Sequence, residues 1–147
     1  MKPSDKNRRY FCVVVLDPVL IAALDEAKIT VDLIPQGRWT FEPGATLGPT
    51  SWSAAASFAG EEKGRATPVG QSFAAAPEVP AVAVGRAVRK LAAACTAAAA
   101  SLRKDALPHA RKGAALTRAA ALDEEGRTAL RVADRFDAAT PAQRRPL

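Results

Sequence analysis

Histidine occurs once in this sequence, at His109, and cysteine twice, at Cys12 and Cys95. A general base needs an orienting partner and a pocket. His109 follows Pro108 in an expected turn, and its neighbours Ala110, Arg111 and Lys112 supply neither. No His, Cys, Asp and Glu set has metal-ligand spacing. The two cysteines form no CxxC pair and are read as buried thiols. Phosphate-loop patterns (GxxxxGK[ST], GxGxxG) and the GxSxG nucleophile turn are absent. The acids Asp123-Glu124-Glu125 point to different sides of a helix and, like Glu61-Glu62, are read as solvated. The chain is therefore read as non-enzymatic, with no metal and no cofactor.

Large apolar side chains are also scarce. Leu, Ile, Val and Phe together number 31 of 147 residues, and the aromatic share is 5%. Alanine alone supplies 34 residues. A buried Ala contributes one methyl, worth about 0.8 kcal/mol, so the expected core is lean. Between Phe73 and Phe136 there is no aromatic residue at all. That excludes base stacking along this stretch as a mode of nucleic-acid recognition.

Long uninterrupted apolar runs are missing too. Lys2, Lys6, Arg8 and Arg9 precede the apolar stretch 11–24, the outline of a signal peptide. Asp17-Pro18 splits that stretch, and Asp25-Glu26 stand where small uncharged residues would precede cleavage. The stretch is too short and too broken for a membrane span. The expectation is a soluble cytoplasmic protein.

What is present divides the chain into four parts. Residues 1–41 suggest a small β-α-β segment. Tyr10–Leu16 is a continuous β-branched and aromatic run suited to a buried strand. Asp17 offers an N-cap and Pro18 a first-turn residue for a helix to Lys28. Ile29–Ile34 alternates, with Ile29, Val31 and Leu33 on one side, and Pro35 ends it. Residues 42–80 read as a low-complexity linker with turns at 42–45 and 47–50. The stretch 35–80 holds six Gly and six Pro, which fits that composition.

Residues 81–140 carry two helical seams. Val84, Val88, Leu91, Cys95, Ala98 and Leu102 are spaced four and three apart, as are Ala115, Ala119, Leu122, Gly126, Ala129, Ala133 and Phe136. Such spacing places each set on one helix face. Alanine has the best helix propensity, Gly126 costs about 1 kcal/mol against it, and Pro108 breaks the helix between the two seams. Residues 141–147 are read as a disordered tail. The fold class is thus α+β and mostly helical: a short β-α-β segment, a flexible Gly/Pro/Ala-rich middle, and a C-terminal Ala-rich antiparallel helical hairpin.

Charge is unevenly placed. Residues 1–80 carry 8 Lys and Arg against 9 Asp and Glu, while residues 81–147 carry 13 against 6. The cations of the hairpin, Arg86, Arg89, Lys90, Arg103, Lys104, Arg111, Lys112 and Arg118, form the candidate site. Phosphate contact needs only such charges at suitable spacing. The leading expectation is a small binding protein that contacts nucleic acid through its backbone without sequence preference. The alternative is a helix-mediated assembly module, its seam pairing with another helix or with a second copy. A third reading is the product of a GC-rich open reading frame with no defined molecular role.

Overall fold

The computed structural model describes residues 16–36, 51–58, 67–75, 78–106 and 112–139. Within them lie α1 (Pro18–Glu26), β1 (Ile29–Gln36), β2 (Ser51–Phe58), β3 (Gly70–Ala75), α2 (Pro80–Ala106) and α3 (Lys112–Ala139). The expected strand at 10–16, apart from Leu16, and the tail at 141–147 lie outside the described residues, as does the turn at Pro108-His109.

α1 starts where its capping residues dictate. The Asp17 carboxylate accepts a hydrogen bond from the Val19 N–H at 2.8 Å, and Pro18 occupies the first turn. Both features satisfy or remove an orphan N–H of that turn. The helix ends at Glu26, two residues earlier than expected. Lys28 takes a left-handed φ of 59°, which turns the chain directly into β1. Leu20, Ala23 and Leu24 are buried, and α1 packs against both β1 and α3.

The sheet is an antiparallel meander in the order β1-β2-β3. β1 therefore pairs with a strand drawn from the stretch read as a linker. β2 and β3 correct the expectation of an unstructured middle at these residues. The register shows how so few large side chains make a core face. Ile29, Val31, Leu33 and Pro35 stand opposite Phe58, Ala56, Ala54 and Trp52. On the other side of β2, Ala56, Ala54 and Trp52 face Gly70, Ser72 and Ala74. Pro35 lies inside β1 rather than after it. β1 is an edge of the described sheet, where a proline need not remove a ladder hydrogen bond.

α2 lies between this sheet and α3, packing against β3, β2 and α3. It is buried almost all round over its first half: Ala81, Val82, Ala83, Val84, Ala87, Val88, Leu91 and Ala92 are all buried. Small residues on both neighbours make that possible. A Cβ on Gly70 would meet the Ala87 carbonyl oxygen at 2.0 Å and the Leu91 nitrogen at 2.2 Å, so β3 runs against the helix backbone itself. On the opposite side, Gly126 of α3 faces the Ala92 carbonyl, Thr96 and Cys95, and Gly85 of α2 accommodates Phe136. Gly126, which lowers helix propensity, is here a contact residue between helices. The contacts Gly85–Phe136 and Cys95–Gly126 run in opposite chain senses, giving an antiparallel hairpin. One buried cluster reaches from Leu16 to Phe136 and joins all six elements.

Candidate functional site

Of the eight basic residues singled out in the sequence, Arg111 and the Lys112 side chain lie outside the described structure. The other six fall into two groups. Arg86, Arg89, Arg103 and Arg118 each sit on a carboxylate. Lys90 and Lys104 are exposed and have no ion-pair partner among the described residues.

Two of the arginines tie α2 to α3. Arg89 of α2 reaches across to α3, with Nη2 3.0 Å from Asp134 Oδ1 and 2.5 Å from Asp137 Oδ2. Arg103, near the other end of α2, donates to Asp123 of α3. Arg86 forks onto Glu78, which precedes α2, at 3.0 and 2.5 Å. Arg118 lies 3.7 Å from Glu125, one heptad further along α3. Arg89 and Arg103 therefore bracket the hairpin at its two ends. One sequence signal could have revealed this. Arg89 and Arg103 are fourteen residues apart, as are Asp123 and Asp137, so an antiparallel hairpin whose faces turn toward each other matches both pairs at once.

Further along α3, Arg127 donates to Glu124 at 2.8 Å, and Arg131 lies 3.7 Å from the same carboxylate. Asp123, in the same acidic run, is bonded instead from Arg103 across the hairpin. That hydrogen bond holds the Asp123 carboxyl below its ordinary pKa, and the bond from Arg127 does the same for Glu124. Their contribution to stability is present above the ordinary carboxylate range and is lost as pH falls through and below it. The guanidinium of Arg89, raised by its bond to Asp134, stays charged throughout.

This pairing changes the electrostatic picture. Four of the thirteen cations of residues 81–147, namely Arg111, Lys112, Arg144 and Arg145, have side chains outside the described structure. The remaining nine face six acids. All six acids except Asp105 are engaged by arginine.

Clefts lined by described residues open beside the hairpin. The larger, about 490 Å3, lies where the two helices run on past the start of β3. Ala98, Leu102, Ala115 and Leu122 line it, with Pro68 and Arg118 at its sides. The smaller, about 280 Å3, lies between α1 and α3 and combines Arg131, Arg135 and Thr128 with Glu26. Among the described residues there is no histidine and no group of three His, Cys, Asp or Glu able to hold a metal ion. No helix among them is long and apolar enough to cross a membrane. No family model, curated protein or solved structure matches this chain.

Proposed function

We propose that this chain is a small non-enzymatic binding protein whose partner is a protein surface rather than nucleic acid. The observation that carries this reading is the pairing of Arg86, Arg89, Arg103 and Arg118 with carboxylates. A guanidinium already held by an acid must give up that acid before it can take a phosphate, and the released carboxylate then repels the nucleic acid. A surface whose arginines are largely paired with carboxylates, beside an apolar cleft, suits a protein contact, in which a polar rim surrounds an apolar centre. The cleft lined by Leu102 and Leu122 provides such a centre.

A salt titration tests the reading. Binding of a fluorescent duplex is followed by anisotropy in a variant with Lys2, Lys6, Arg8, Arg9, Lys28, Arg38, Lys63, Arg65, Arg111, Lys112, Arg144 and Arg145 changed to Gln, which leaves only the nine described cations of the hairpin. Lys90, Lys104 and Arg135 are then the described hairpin cations without a described carboxylate partner. Three phosphate contacts give a slope of log K against log salt of about −2.7, and five or more give about −4.5 or steeper. The expected result is weak binding with a slope no steeper than about −3. A steeper slope means that the paired arginines exchange their carboxylates for phosphates, and the protein reading fails. It fails equally if the unaltered chain binds steeply and the variant does not, which assigns nucleic acid to the substituted cations outside the described hairpin.

A further inference from the structure

β3 has one strand neighbour in the described sheet, β2. Its sequence, Gly-Gln-Ser-Phe-Ala-Ala, carries no charge. Phe73 in its middle is 66% exposed, and Val69 just before it is also exposed. Strands at sheet edges present backbone groups that template pairing with another strand, and natural edges are usually blunted by charge, bulges or a covering element. An uncharged edge with an exposed aromatic residue lacks the first of these devices.

The neighbouring helix supplies a different one. Arg86 Nη1 donates to the Phe73 carbonyl oxygen at 3.2 Å. The same guanidinium is clamped by Glu78 through two hydrogen bonds, a bidentate arrangement that fixes the orientation of its plane. Glu78 is held in turn from the end of β3, where its N–H donates to the Ala75 carbonyl at 2.9 Å. That bond positions the acid, the acid positions the arginine, and the arginine occupies a β3 carbonyl.

We propose that the Arg86–Glu78 pair is an edge guard, and that β3 is a strand-pairing surface for β3 of a second copy of this chain that the guard holds closed. The strand itself argues for a second copy. In an antiparallel two-fold pair the two uncharged strands do not repel each other. Pairing about the Phe73 position brings the two exposed rings close across the strands, and aromatic cross-strand pairs are among the stabilising ones. The contact is self-complementary and closes at a dimer.

Self-association of the full chain, measured by sedimentation equilibrium over a concentration series, tests this. Arg86→Ala combined with Glu78→Gln removes the guard without leaving an unpaired acid at the edge. The expected result is a dimer dissociation constant at least about tenfold lower than that of the unaltered chain, with Phe73→Lys added to that background restoring the original value. A doubly substituted chain that keeps its helical circular dichroism and associates no more than the original overturns the proposal. So does association that Phe73→Lys leaves unchanged, because the contact then lies elsewhere. If the double variant does not fold, Arg86→Lys serves instead. It keeps the charge but cannot fork onto Glu78 while capping the carbonyl, so association should rise by a smaller factor; no rise overturns the proposal.

Discussion

Gly70→Ala should destabilise this protein by about 3 kcal/mol or more, although it adds a single methyl. Small-to-large changes in packed interiors usually cost 1–3 kcal/mol, because neighbouring side chains can adjust. Here the atoms in the way are the Ala87 carbonyl oxygen and the Leu91 nitrogen, both in the backbone of α2 and both nearer than 2.5 Å to the added carbon. A helix backbone cannot rotate aside as a side chain can. β3 and α2 must separate, and the core face of the sheet loses its cover. The requirement is one of space, since Gly70 does not adopt the left-handed conformation that favours glycine. For a chain of this length about 3 kcal/mol lowers the melting temperature by roughly 10 °C, and Gly70→Val should abolish cooperative melting. Gly113→Ala is the control. Gly113 is exposed in α3 with nothing within 4 Å of an added Cβ, so the same change there should leave stability equal or raise it by up to about 1 kcal/mol. Equal melting temperatures for the two alanine variants would show that α2 and β3 do not touch.

Leu91→Asp should be as damaging. Leu91 is completely buried, and it lies where β3 approaches α2. A carboxylate there loses its hydration and meets no cation; an uncompensated buried charge costs about 3–5 kcal/mol, in addition to the lost apolar contact. Set against a stability of about 5–15 kcal/mol for a whole domain, and a core made largely of alanine, that loss leaves little folded protein. Two residues earlier, Arg89→Ala removes ion pairs with both Asp134 and Asp137. Arg89 is half exposed, so solvent screens those pairs and the loss should stay near 1 kcal/mol or below. Thermal melts of the two variants decide the matter. A Leu91→Asp protein that melts cooperatively within a few degrees of Arg89→Ala would mean that the buried face of α2 is wrongly placed.

How much of this could be read from the sequence differs from element to element. The start of α1 was legible because Asp17 and Pro18 act within one turn. The hairpin seams were legible because periodicity is a property of one helix. Val84, Val88, Leu91 and Cys95 are buried, and so are Ala119, Leu122, Ala129, Ala133 and Phe136. β2 and β3 were not legible. Ser-Trp-Ser-Ala-Ala-Ala-Ser-Phe and Gly-Gln-Ser-Phe-Ala-Ala lack the β-branched residues that mark strands. Their small residues answer to the nearness of α2, a tertiary fact that no local rule contains. The alternation of Trp52, Ala54, Ala56 and Phe58 with Ser51, Ser53, Ala55 and Ser57 was the remaining trace of it. At the candidate site, the basic residues were visible but their partners were not. A charge pair within one helix can be read from spacing, whereas Arg103 with Asp123 requires the register of two helices. Gly126 shows the same limit, as a local weakness that serves a close approach between helices.

Hydrogen exchange followed by mass spectrometry tests most directly the claim that α2 is a core helix held between the sheet and α3. Opening free energies are shared by segments that unfold as one unit. The structure predicts that peptides from 82–95 and from β2, together with the β3 amides bonded to β2, exchange slowly and together, at the free energy of global unfolding. If 51–58 and 70–75 exchange within seconds while the two long helices stay protected, the sheet does not cover α2, and the hairpin stands without it.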